Sequence, residues 1–152
     1  MPNDLVRRLK LLYYGESWSG KTFAAASTFN SQYIDPQRVL HIDNHGSTTA
    51  LTLPRFTETN QYGVMRVPPT DTEAVVAIIQ DIRKANHAGR PPFDAVILDD
   101  VSEHDAVDVD ANAAKDADDG GGWEFWRNHL ADSRNLFRSA HPDETGAHFI
   151  VV

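Results

Sequence analysis

The stretch GESWSGKT, Gly15 to Thr22, restricts the fold of this chain more than any other. It follows the apolar run LKLLYY (Leu9–Tyr14) and opens the alanine-rich GKTFAAAST (Gly20–Thr28). Gly15, Gly20, Lys21 and Thr22 stand in the register G-x-x-x-x-G-K-[ST]. A tight loop between a strand and a helix aims successive backbone N–H groups at one point, and the helix N-terminus adds a partial positive charge. Such a loop suits a phosphate group. Its expected contact set is Gly15, Glu16, Ser17, Trp18, Ser19, Gly20, Lys21, Thr22 and Phe23. Trp18 is out of character, because small residues fit such loops better. Backbone amides do the binding, so its ring is expected to point away from the phosphates.

The remaining pattern alternates strand and helix. Arg38–Asp43 (RVLHID) reads as a second strand and Tyr62–Val67 (YGVMRV) as a third. Phe93–Asp99 (FDAVILD) is a continuous run of β-formers, the mark of a strand buried on both faces. His148–Val152 (HFIVV) reads as a fifth strand. Asp71–Asn86 is the clearest helix, capped by Thr70, with Val75, Val76, Ile79 and Ile82 at helical spacing. Trp123–Ala140 reads as another, with Trp126, Leu130, Leu136 and Phe137 on its inner side. This order predicts an α/β fold of three layers, a mainly parallel five-stranded sheet with helices on both faces. Ligands of such sheets bind at the carboxyl ends of the strands. Gly15 follows the first strand there and Asp99 ends the fourth.

A length of 152 residues suggests a single domain, 1–152. No run approaches the ~20 apolar residues of a membrane helix. The first residues, MPNDLVRRLK, lack a signal-peptide core, and cysteine is absent. A cytoplasmic location is therefore expected, without a membrane. The net charge of −8 is concentrated: from Ser102 to Glu124 eight acids face one base, a local −7. Residues 102–122 are expected to form an acidic flexible insertion, closed by Gly120-Gly121-Gly122. Its acids lack the glycine and terminal glutamate of a calcium loop. His104, His129, His141 and His148 show no metal-binding spacing. No basic stripe speaks for nucleic acid, so charge gives single-stranded DNA no support as a partner. The chain stops on a strand with no turn or cap, which reads as a C-terminal truncation or a minimal version of its fold.

Lys21 can reach the β- and γ-phosphates of a nucleotide, and Thr22 can offer its hydroxyl to Mg²⁺. Mg²⁺ keeps several waters, so one further carboxylate suffices, and Asp99 supplies it directly or through water. Three segments, LLYYGESWSGKT, RVLHIDNHGSTTAL and FDAVILDDVSE, together resemble the RecA-like branch of P-loop ATPases. The likeness is to phage-encoded nucleotide-binding proteins of the AAA/RecA type, a group that includes recombination and single-strand-annealing ATPases. The resemblance implies ATP and Mg²⁺ as ligands, a possible homo-oligomer, and HFIVV inserted between the Asp99 strand and the loop strand. It also sets His45 where the family has its catalytic glutamate. Asp100, directly after Asp99, is the second candidate for polarising the attacking water. Arg127, Arg134 and Arg138 read either as a solvated helix face or as fingers toward a neighbouring subunit. Trp123 and Trp126 read as core or as a base-stacking surface.

Three functions remain open at this point. One is an ATP-binding and hydrolysing protein of phage DNA recombination or replication, with Lys21, Asp100 and His45 as catalytic residues. Another is a nucleotide-dependent assembly protein with weak turnover. The third is a small-molecule or nucleoside kinase, which the acidic segment after Asp100 disfavours. No guanine-reading Asn-Lys-x-Asp is present, which favours ATP over GTP.

Overall fold

Parallel pairing of the apolar runs organises the chain. The structure, a computed structural model, describes residues 8–16, 18–43, 64–66, 72–99, 131 and 134–152. Strands β1 (Lys10–Leu12), β2 (Val39–Asp43), β4 (Ala95–Asp99) and β5 (His148–Val151) form an all-parallel sheet in the order β1-β5-β4-β2. A short β3 (Val64–Arg66) adds a fifth parallel strand on the outer side of β2. HFIVV therefore lies between the Asp99 strand and the loop strand, the position expected for it. Helices α1 (Lys21–Ala26), α2 (Thr72–His87), α3 (residues 134–139) and α4 (Pro142–Thr145) complete an α/β fold.

All five residues of β2 and all five of β4 are buried, His41, Asp43 and Asp99 among them, as strands covered on both faces require. Side chains alternate between the faces of a strand. Val39, Ala95, Ile97 and Ile150 thus meet Ala25, Ala26 and Phe29 of α1 and its extension. Leu40, Ile42, Val96, Leu98, Phe149 and Val151 meet Val75, Ile79 and Ile82 of α2, with Leu136 of α3. Helices cover both faces, and the period of three to four in α2 supplies the stripe that does so. Val76, expected on that stripe, packs at its margin and is half-buried.

Several boundaries differ from the sequence reading. The Leu9–Tyr14 run pairs over three residues only, and Lys10, Leu11 and Leu12 are all exposed, because β1 has β5 as its sole strand neighbour among the described residues. The helix after the loop stays α-helical to Ala26 and then tightens to a 3₁₀ turn, Ser27–Asn30. The Ser27 hydroxyl donates to the Ala24 carbonyl at 2.6 Å, a local bond that competes with regular helix. Helix α4 was not anticipated. Its signals are short-range: His141 accepts from the Asp143 amide, Pro142 opens the turn, and Gly146 closes it at φ 68°. Glu144 on α4 accepts from Arg83 at 2.9 Å and pairs with His87 at 3.1 Å, which fixes α4 to α2. The Arg83 hydrogen bond, seconded by its charge and by His87, holds the Glu144 carboxyl below the usual range. Thr70, Trp123, Trp126, Leu130, Arg127 and the acidic segment 102–122 lie outside the described residues. Among the described residues no helix is long and apolar enough to cross a membrane.

The start of β1 is tied to β5 by a histidine. The Leu9 amide donates to His148 Nδ1 at 3.1 Å, beside the Phe149 amide bond to the Leu9 carbonyl at 2.8 Å. Burial, then the charge of Arg8, lowers the His148 pKa below its ordinary value, against a smaller opposing effect of Asp94. The folded protein thus holds this imidazole neutral more firmly than the unfolded chain does. The associated stability is present above the unfolded value of about 6.5 and is lost as pH falls through it. Urea unfolding at a series of pH values across this range should show a steeper acid-side decline for the wild type than for His148→Gln.

Candidate functional site

The link between β1 and α1 is a loop with unusual backbone. Gly15 has φ 148°, Gly20 has φ 85° and Trp18 has φ 65°. Gly20 takes the left-handed conformation at the N-cap of α1, where a side chain would strain the turn. The Ser19 amide bonds the Glu16 carbonyl at 3.3 Å and the Ala24 amide bonds the Gly20 carbonyl at 2.9 Å. No side chain caps the first turn of α1 and no acid occupies it, so its leading amides keep their positive end for an external acceptor. Lys21 folds back over the loop: its Nζ donates to the carbonyls of Gly15 at 3.0 Å and Glu16 at 2.9 Å. Thr22 is half-buried next to it, and Phe23 is exposed.

Trp18 is fully exposed, so its ring points into solvent. Its positive φ explains why glycine or another small residue suits the position: an L side chain in the left-handed region costs about 1–2 kcal/mol. Tyr14 is also exposed, and with Trp18 and Phe23 it borders the loop with aromatic surface.

The carboxyl ends of β2 and β4 supply the acidic half of the site. In their parallel register His41 faces Ile97 and Asp43 faces Asp99. Alternation puts His41, Asp43 and Asp99 on the α1 face of the sheet, the face served by the helix that begins at Lys21. Asp43 and Asp99 are each 1% exposed and His41 is 0% exposed. His41 Nε2 lies 3.3 Å from Asp99 Oδ2 along the diagonal between the two strands. The imidazole stacks on the Phe29 ring with centroids 6.4 Å apart and planes at 28°.

Among the expected site residues, the structure describes Gly15, Glu16, Trp18, Ser19, Gly20, Lys21, Thr22, Phe23 and Asp99. Ser17, His45 and Asp100 lie outside the described residues. Arg134 and Arg138 are exposed on α3. His41 and Asp43 were not picked out as site residues from the sequence. The signal was available: counting back by twos from the end of β2 gives two polar residues on one face of an otherwise apolar strand. Among the described residues no cluster of three or more histidines and acids could hold a metal ion unaided. A carboxylate and a hydroxyl are nonetheless the oxygen donors that Mg²⁺ takes from a protein when phosphates and water complete its shell, so Asp99 and Thr22 fit that ion.

A cavity of about 580 Å³ lies on the α1 face at the opposite end of the sheet, between Leu9, Leu11, Tyr33, Asp94 and His148. It sits at the amino ends of β4 and β5, whereas open parallel sheets bind ligands beyond the carboxyl ends. We therefore assign the candidate site to the loop and Asp99. Comparison with protein-family models and with curated proteins finds no match to this chain.

Replacing Trp18 by glycine relieves the left-handed strain and removes no buried contact. The larger freedom of glycine in the unfolded chain offsets about 0.4–1 kcal/mol of the gain. Trp18→Gly should therefore raise the unfolding free energy by roughly 0.5–1 kcal/mol, read from the urea midpoint at unchanged slope.

Proposed function

We propose that this chain is a RecA-like P-loop domain that binds ATP with Mg²⁺ and hydrolyses it, working in the cytoplasm in DNA recombination or replication. One observation carries the reading. A glycine-bounded loop ends in Lys21 at the start of α1, and a buried Asp99 ends β4, which is separated from β1 by β5, on the same face of the sheet. These are a phosphate cradle and an oxygen donor for a divalent cation, both at carboxyl ends of parallel strands.

In this reading the leading amides of α1 and the loop amides take the β- and γ-phosphates. Lys21 exchanges the carbonyls of Gly15 and Glu16 for phosphate oxygens, so its charge stays compensated on both sides of the exchange. Thr22 and Asp99 hold Mg²⁺, which neutralises phosphate charge. Asp43, opposite Asp99, adds a second buried acid, and a cation relieves the repulsion between the two. Positioning and charge stabilisation supply most of phosphoryl-transfer catalysis. Asp100 or His45 would orient the attacking water.

A second reading is a nucleotide-dependent assembly protein, favoured by the fully exposed Trp18 on the loop itself. There the aromatic rim of Tyr14, Trp18 and Phe23 would meet a neighbouring copy once nucleotide is bound. Sedimentation with ATP, ADP and no nucleotide separates the two: a nucleotide-dependent change of mass with negligible phosphate release supports assembly.

For the wild type, ATP with Mg²⁺ at a hundredfold excess over Kd should stabilise the fold by about 2.7 kcal/mol. Lys21→Ala removes charged hydrogen bonds of about 1.5–3 kcal/mol, so affinity should fall about 10- to 150-fold. Phosphate release should collapse in the same variant, and Asp100→Asn and His45→Ala should identify the water-orienting group. Equal affinity and turnover in wild type and Lys21→Ala would overturn the proposal.

A further inference from the structure

We propose that His41 is the positioning residue of Asp99, holding the carboxylate in the orientation in which it meets a divalent cation. This inference rests on the nucleotide and cation reading of the loop. It adds a residue on β2, remote from the loop in sequence, to the machinery of the same site.

The argument begins with the cost of the imidazole. Every other inner position of β2 before Asp43 is apolar: Val39, Leu40 and Ile42. A fully buried polar ring at position 41 costs free energy unless it is hydrogen-bonded, and a valine or leucine would serve packing alone. The ring pairs instead with a carboxylate on the next strand, Nε2 to Oδ2 at 3.3 Å, a bond in which an ionised carboxylate can only accept and Nε2 carries the proton. The Asp99 backbone is fixed by its pairing with Asp43, but the terminal torsion of an aspartate is broad and roughly two-fold. A donor on Oδ2 removes that freedom: it sets the plane of the carboxylate and hence the direction of Oδ1.

The donor is itself held. His41 makes an offset stack, centroids 6.4 Å apart, with Phe29, whose side chain is fully buried in the core beneath α1. Phe29 belongs to the 3₁₀ turn that continues α1 without a break from Lys21. One continuous segment thus carries Lys21 at its start and packs against His41 at its end. The phosphate half and the cation half of the site are placed relative to each other through that contact. Hydrogen-bond partners behind a metal ligand commonly contribute 10- to 100-fold in metal affinity.

The test uses the full chain, Mn²⁺ as the probe cation and a non-hydrolysable ATP analogue. Free Mn²⁺ is followed by its electron paramagnetic resonance signal in wild type, His41→Leu and His41→Gln. His41→Leu keeps the bulk and loses the donor; His41→Gln keeps a donor nitrogen at similar reach. Expected is a 10- to 100-fold loss of Mn²⁺ affinity in His41→Leu, with most of it recovered in His41→Gln. Analogue affinity measured in EDTA should stay within about twofold in both, because the loop amides and Lys21 are untouched. Wild-type Mn²⁺ affinity in His41→Leu overturns the proposal. Loss in both variants without recovery also overturns it, since packing rather than the hydrogen bond is then at work. A wild type that binds analogue in EDTA but gains nothing from Mn²⁺ overturns the cation role of Asp99, and with it this inference. A wild type that binds no analogue at all overturns the nucleotide reading itself. Cooperative thermal unfolding of each variant shows that the comparison is between folded proteins.

Discussion

The register between β2 and β4 sets the chemistry available at the carboxyl end of this sheet. With Val39 opposite Ala95, the two strands end together and Asp43 stands beside Asp99. A slip of one residue would reverse the faces, because the side-chain period is two. A slip of β2 would send His41 and Asp43, and a slip of β4 would send Asp99, into the apolar layer made by Val75, Ile79, Ile82 and Leu136. Burial of Leu40, Ile42, Val96 and Leu98 on that side therefore specifies the site on the other. The core and the candidate site are two consequences of one pairing, and neither can be altered independently of it.

The loop shows the complementary arrangement, in which strain and charge are local. Lys21 is an ammonium group satisfied by two carbonyls of its own loop. Those carbonyls are weaker partners for it than phosphate oxygens, because they carry no net charge. The loop is thus compact around its own lysine. Trp18 keeps a left-handed backbone without any packing to compensate it. Residues held in sparsely populated conformations concentrate at functional segments, and this one lies in the middle of the expected cradle.

The parts that were readable from sequence are those governed by short-range pattern. The unbroken apolar run Ala95–Leu98 identifies a strand buried on both faces and makes the acid at its end conspicuous. The glycine spacing around Lys21 identifies a strand-to-helix loop, and the 3–4 spacing of Val75, Ile79 and Ile82 identifies α2. The position of HFIVV between β1 and β4 followed from the resemblance, not from the residues. What was not readable depends on which strands become neighbours. The extent of β1 is such a case: LKLLYY is apolar but for Lys10, yet the strand, whose one neighbour among the described residues is β5, pairs only over Lys10–Leu12. His41 is the other case. In RVLHID it stands between Leu40 and Ile42, and only adjacency to β4 supplies the carboxylate it is bonded to.

That adjacency also changes how the end of β2 is weighed. The sequence directs attention forward from Asp43 to His45, where the resembling ATPases carry a glutamate. The pairing directs it backward, to a histidine that is buried, stacked and bonded to Asp99. A group engaged in this way is suited to holding another side chain in place, since its hydrogen bond and its stacking are already committed. Moving protons to and from water needs the opposite: access and rotational freedom. In the proposed reading His41 serves geometry, and the two residues proposed to orient water, His45 and Asp100, follow β2 and β4 in the chain.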